Sequence, residues 1–496
     1  MPNRSSLLLC AFVVSVVAVP AAQTGGDAAL FEKIRVEGME HSQAGALFET
    51  LTTDIGPRLT ASPAHKRAAE WAREKLAGYG LANSHLEPWR FGRGWEAQRV
   101  VVEMVEPRYL PLIAYADGWS ASTAGELSGA PVLAGGKTPE QLEAMKGALK
   151  GAIVLSAPLF DNFVRKDRPN PSDPGYQANG AAYATSVGRT AQPRPQGETP
   201  AQRAARIFRE AGAGVLLKPT IGEHGTVFVT GRDGGPGAVP SLSLASEHYN
   251  MLVRYAERGI PVKLRVNVQT TFYDADNGNA YNVIAELPGT DPALKDEVVM
   301  IGGHLDSWHT GVGATDNADG SVTMMEAMRI LKTVGAQPKR TIRVALWGGE
   351  EQGLLGSAAW VQQHLAGEAN RAARDRFNVY FNSDNGYGPI WGFYLENNQA
   401  NVPVFERWLA PLKAVGIRRN TIEGVGSTDH LSFINAGVPG FNPIQRYENY
   451  DIRTHHSNMD TVERLDAKEL RQAATVMAWV ALQAANDKDR VPRLNR

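Results

Sequence analysis

The chain has 496 residues, more than one ordinary domain needs, so a second folding unit is expected beside the first. A formal net charge of -1 gives no electrostatic reason to expect a nucleic-acid partner. With one cysteine in the whole chain, no intrachain disulfide can staple the fold.

In chain order, Arg4, the apolar run from Leu7 to Val19 and the small residues around Pro20-Ala21-Ala22 read as a cleavable signal peptide over residues 1–22. Its apolar core is too short for a membrane span, and no later segment is apolar enough to make one. Cys10 lies inside this leader, so the mature chain has no thiol ligand. Leu7-Leu8-Leu9 stand where a lipid-anchor signal wants a small residue. The expected location is secreted or periplasmic.

Leu30 to about Glu106 is helical in pattern, with Ala68, Ala69, Ala72 and Leu76 on one side of a helix ending at Gly78 or Gly80. From about Pro107 the texture changes to short strands and turns. Ala152 to Leu155 and Gly214 to Leu217 read as strands, an alanine-rich helix starts at Ala201, and Val239 to Leu242 with a further helix and strand run to Thr271. Within this stretch Asp167 to Pro200 holds six prolines, so it can be neither regular helix nor central strand. Loops of that length are disordered or act as lids, and a flap over the active site is the expectation here. The first unit's sheet is expected to resume near Asn282. At the C-terminus, Leu470, Ala473, Ala474, Met477, Val480, Ala481 and Ala484 recur at helical spacing and read as core packing.

The stretch from Gly302 to Glu351 carries the chemistry. Val298 to Gly302 and Ile342 to Trp347 are short apolar runs that read as buried strands of a parallel sheet. His304 and Glu350-Glu351 follow their C-terminal ends, the edge at which open α/β sheets bind ligands. Asp316-Asn317 lies between them, Asp384 follows Val379-Tyr380-Phe381, and His455-His456 precedes Asp460-Thr461. Singly, a His or Asp at a strand end is more often a cap or loop residue. Together they read as a metal site, because burying two adjacent carboxylates without cations is costly. Successive side chains in extended backbone face opposite ways, so Glu350 and Glu351 are not expected to do the same job.

The order His304, Asp316, Glu350-Glu351, Asp384, His456 resembles the co-catalytic di-zinc exopeptidases, the family of bacterial leucyl-type aminopeptidases and of plasma glutamate carboxypeptidase. Gly303 to Trp308, Leu346-Trp347 before Glu350 to Gly353, Ser383-Asp384, Gly437 to Gly440 and His455-His456-Ser457 with Asp460-Thr461 look most like the latter subgroup. The resemblance implies an α/β fold, with a mixed, largely parallel central sheet flanked by helices over residues 23–106 and 273–496. It also implies an inserted β-rich protease-associated domain over 107–272. Two zinc ions per chain are implied: His304 and Asp384 on one, Glu351 and His456 on the other, Asp316 bridging both, and Glu350 as the general base. His456 is preferred to His455 because in the family the Asp of the following Asp-Thr pair stands four positions after the ligand, as Asp460 stands after His456. Asp306 is expected to fix the tautomer of His304, and the Asp316-Asn317 bond to be cis. The Ser427 to His430 segment matches one beside the family's substrate cleft, which makes Asp429 and His430 candidate substrate contacts.

The implied activity is hydrolysis of short peptides or dipeptides, possible as a homodimer. The metal motif positions only the scissile bond, so aminopeptidase, carboxypeptidase and dipeptidase readings all stand. A related enzyme acting on a non-peptide amide would share the same ligands. A catalytically silent relative would lack a ligand or the base, and none is missing. Trp308, Trp347 and Trp391 are candidates for an apolar pocket, and Arg446 and Arg453 for a substrate carboxylate.

Overall fold

The computed structural model describes residues 25–177 and 197–494. The expected leader and most of the proline-rich loop, residues 178–196, lie outside the described residues.

The larger unit is built on a seven-stranded sheet. Its centre is four parallel strands in the spatial order Thr341–Trp347, Val298–His304, Phe377–Asn382 and Gly440–Arg446. Asn279–Leu287 and Ala82–Arg90 add antiparallel on one side and Tyr387–Tyr394 on the other, so the parallel character is confined to the centre. The central strands are apolar on both faces, which is what helices packed on both sides require. Val299, Ile301, Val344, Leu346, Val379 and Phe381 point into one helical layer, whereas Met300, Ala345, Trp347 and Tyr380 point into the other.

The first layer includes Asp319–Thr333 and Glu469–Asn486, whose predicted apolar stripe is fully buried. It also includes Pro63–Gly78, which starts where the Ser62 side chain accepts from the His65 N–H at 3.1 Å with Pro63 at its first turn. Its Ala68, Ala69, Ala72 and Leu76 are buried as read from the spacing. The helical pattern does not continue to Glu106. Ala82–Arg90 and Gly94–Glu106 are strands, because Val100, Val101 and Val102 favour extended backbone and because partners far away in the chain complete their ladders.

The second unit has a four-stranded sheet, in which Gly94–Glu106 pairs along its length with Lys263–Tyr273, and a five-stranded sheet holding Ile153–Leu155, Val215–Pro219 and Ser241–Leu244. The two share one core, into which Trp308 of the larger unit is packed. Among the described residues no helix is long and apolar enough to cross a membrane.

Candidate metal centre

All four parallel strands deliver a candidate residue at or beyond their C-terminal ends. His304 closes Val298–His304, Glu350-Glu351 follow Thr341–Trp347, Asp384 follows Phe377–Asn382, and His455-His456 come after Gly440–Arg446. Asp316 sits just before the helix Asp319–Thr333, and its bond to Asn317 is cis. The sheet thus gathers side chains spread over more than a hundred residues into one place.

The distances are those of donors facing a shared ion. His304 Nε2 lies 3.1 Å from Asp316 Oδ1, 3.7 Å from Asp384 Oδ1 and 4.0 Å from Glu350 Oε2. On the other side, His456 Nε2 is 2.8 Å from Glu351 Oε2 and 3.4 Å from Asp316 Oδ2. The two oxygens of Asp316 therefore face two different imidazoles. His455 Nε2 stands farther off, 3.9 Å from Asp316 Oδ2, with its ring stacked on Tyr450.

These atoms fit cations on their own chemistry. His304 Nε2, Asp316 Oδ2 and both carboxylate oxygens of Glu351 are buried with no hydrogen-bond partner in the protein. Buried polar atoms without partners are rare, and a hard His and carboxylate set with no thiolate suits zinc. Electrostatics agree. Burial and the nearby Asp316 push Glu351 up to about 7. Burial, with Asp384, Asp429 and Glu351 close by, raises Glu350 well above the carboxylate range against the pull of His304. Burial opposes charge on His456, yet Glu351 and Asp316 raise it to about 9. So many buried acids can be ionised together only if positive charge is supplied.

Second contacts fix the set. His304 Nδ1 is 3.0 Å from the backbone oxygen of Asp306 and 3.5 Å from its carboxylate Oδ1, so both parts of Asp306 face the ring. The Asp306 carboxylate also accepts from Thr60 Oγ1 at 2.8 Å and from the backbone N–H groups of Glu350 at 3.2 Å and Glu351 at 3.3 Å. Asp460 accepts from the Thr315 and Asp316 N–H groups at 2.8 and 3.1 Å, which pins the backbone of the central carboxylate. Beneath the centre, buried Arg58 donates to the carbonyls of Gly56, Leu305, Val312 and Gly313.

Of the other sequence candidates, Asp429 lies close to Glu350 and the rest are dispersed. Asp429 and His430 are fully buried, and Asp429 is pushed up to about 7 by burial. Trp308 borders the cleft, but Trp347 is core against Tyr380, and Trp391 stacks on Arg418. Arg446 is paired with Glu469, and Arg453 is taken up by Glu223, Thr226 and His224. Neither arginine is available to a substrate.

The cleft lies between the two units. One chamber of about 660 Å³ has Glu351, Gln352 and Trp308 on one side and Trp119, Lys218 and Arg232 on the other. A second, of about 390 Å³, is bounded by Arg165, Asp451, His455 and His456, and Lys218 borders both. No local pattern marks Lys218, Arg165 or Arg232 in the sequence; only the packing of the second unit over the sheet brings them here.

The family model "Peptidase family M28" matches residues 282–481. Carboxypeptidase Q from Bos taurus is 29% identical over 475 residues, covering 95% of this chain and 91% of that protein. A solved peptidase M28 precursor from Shewanella amazonensis SB2B superposes with a TM-score of 0.69 at 24% identity, over 95% of this chain and 99% of that one. A zinc aminopeptidase from Bacillus subtilis superposes with a TM-score of 0.60 at 20% identity, over 90% and 96% of the two chains. Both structures share this fold.

Proposed function

Because residues 282–481 belong to peptidase family M28 and the chain is a zinc metallo-exopeptidase, we propose that it hydrolyses short peptides or dipeptides at a two-zinc centre with Glu350 as the proton carrier. The observation that carries this reading is the double-sided Asp316, whose oxygens lie 3.1 Å from His304 and 3.4 Å from His456. His304 and Asp384 would hold one zinc, Glu351 and His456 the other, with Asp316 shared between the two positions. Zinc bound there would supply Lewis acidity to the scissile carbonyl and would make water acidic enough to attack near neutral pH. Glu350 stands beside the set, 4.0 Å from His304 Nε2, where it takes the proton from the attacking water and passes it to the leaving amine. Asp306 keeps both acids aimed by holding their backbone N–H groups. Elemental analysis should find close to two zinc per chain, and a strong chelator should abolish activity and lower the melting temperature, since the buried acids lose their counter-charge. A metal-free protein with full activity would sink the reading.

The cleft favours a substrate with a free carboxylate. Asp117, on the wall of the larger chamber, is already engaged by Lys218 at 2.7 Å and by the Ser241 and Ser243 hydroxyls. Asp451 is engaged by Arg168 at 2.6 Å. Arg165 and Arg232 have no carboxylate partner among the described residues, and a guanidinium in a cleft suits a carboxylate. Arg232→Ala should therefore lower the kcat/KM preference for a free-acid dipeptide over its C-terminal amide by about tenfold or more, the size of a charge-assisted hydrogen bond. An unchanged ratio would place recognition at the amino end.

Residues 107–272 read as a protease-associated insert, residues 23–106 and 273–496 as the catalytic domain, and residues 1–22 as a leader to a secreted or periplasmic location. The core shared by the two smaller sheets supports the insert, which the strand Gly94–Glu106 extends back to Gly94. A homodimer that completes the cleft belongs to the same reading. N-terminal sequencing of the exported protein and its mass by light scattering test the leader and the dimer.

A further inference from the structure

The loop that carries His456 is held by the second unit rather than by the sheet it follows. His456 has φ of +61°, a left-handed conformation that a residue with a side chain adopts only when its surroundings impose it. What imposes it is a short antiparallel ladder to residues 225–229. The Val229 N–H donates to the His456 carbonyl at 2.9 Å, and Phe228 is bridged to Ser457. The Asn458 N–H donates to the Val227 carbonyl at 3.1 Å. The Asn458 side chain closes the ladder, with Oδ1 accepting from the Val227 N–H at 2.7 Å and Nδ2 donating to the Gly225 carbonyl at 3.3 Å. On the other flank, Arg453 donates to the Glu223 carbonyl at 3.3 Å and to Thr226 Oγ1 at 3.2 Å. His456 is therefore suspended between two clamps, and both grip the same seven residues, 223 to 229, of the second unit.

We propose that segment 223–229 is a latch on the metal centre and that Asn458 is its positioning residue, presenting the His456 imidazole to Glu351 and Asp316 so that the second unit sets the affinity of one of the two metal positions. The inference rests on His456 as a metal ligand. An imidazole that must find its place from a mobile loop pays an ordering cost at each binding event, whereas a latched one does not. The effect should fall chiefly on one position because His304 and Asp384 are carried on other strands. Any displacement of the second unit, by substrate entering the cleft for example, would reach the metal through this ladder.

The test measures zinc affinity on the zinc-loaded full chain, by competition with a chromophoric chelator, for the parent, His456→Ala, Asn458→Ala and Asn458→Asp. His456→Ala should lose one zinc. Asn458→Ala should keep both positions but bind one about 10- to 100-fold more weakly, as happens when a partner that orients a metal ligand is removed. Its other position should match the parent, and excess zinc should restore kcat. Asn458→Asp keeps the acceptor for the Val227 N–H and loses only the donor, so it should fall between parent and Asn458→Ala and serves if the alanine variant does not fold. Parental affinity at both positions in both Asn458 variants, with one zinc lost in His456→Ala, overturns the latch. Two zinc at parental affinity in His456→Ala overturns the ligand assignment beneath it.

Discussion

Glu350→Gln is expected to keep two zinc ions per chain and the parental melting temperature while lowering kcat by about 10²- to 10⁴-fold, the contribution of a positioned general base. The amide matches the carboxylate in size and leaves the backbone N–H of residue 350 on Asp306, but it cannot accept a proton from water. Glu351→Gln separates the two roles. Its carboxylate lies 2.8 Å from His456 Nε2, so weakening it should release the zinc on the His456 side as well as activity. Zinc content and single-turnover rates on both variants decide the matter. Glu350→Gln losing zinc while Glu351→Gln keeps it would reverse the assignment.

His304, Glu350-Glu351 and Asp384 were legible because each follows an apolar run whose burial on both faces marks a central parallel strand, whereas Asp316 and His456 were read from the residue order of the family the chain resembles. Once Val298 to Gly302 and Ile342 to Trp347 are strands, His304 and Glu350-Glu351 have to emerge at one edge. What holds them there was not legible. The ladder between Val227 and Asn458 joins positions 231 apart in sequence, and nothing near either residue signals the other. Gly94–Glu106 was hidden for the same reason, since its partner Lys263–Tyr273 lies beyond the rest of the second unit. Of the arginines, the candidates Arg446 and Arg453 are engaged by protein partners, and Arg165 and Arg232, which nothing in the sequence singles out, reach the cleft only through the packing of one unit on the other. A charged side chain carries no sequence mark of whether its partner is protein or ligand, and Arg58 is the extreme case.

Arg58→Met should destabilise the protein enough to leave it largely unfolded or insoluble. Arg58 is fully buried and no carboxylate lies in ion-pair distance among the described residues, so backbone carbonyls satisfy its guanidinium. Nε donates to Leu305 at 2.8 Å, Nη1 to Gly56 at 2.9 Å and Val312 at 2.8 Å, and Nη2 to Gly313 at 3.0 Å. Burial pulls it down to about 10, with Asp460, Asp306, Asp316 and Glu351 opposing, so it stays a cation at neutral pH. Methionine fills similar space and leaves those carbonyls without donors, at about 1–3 kcal/mol each. The total is comparable with the roughly 5–15 kcal/mol that separates folded from unfolded chains. Arg58→Lys keeps the charge but not the planar fork, so it should fold with a lower melting temperature. Because Leu305, Val312 and Gly313 bracket the segment from Asp306 to Asp316, that variant should also bind zinc more weakly than the parent. Thermal unfolding and zinc titration of both variants test this, and an Arg58→Met protein melting within about 1 °C of the parent, roughly the shift that 1 kcal/mol produces in a chain of this length, would show that the loops are held by something else.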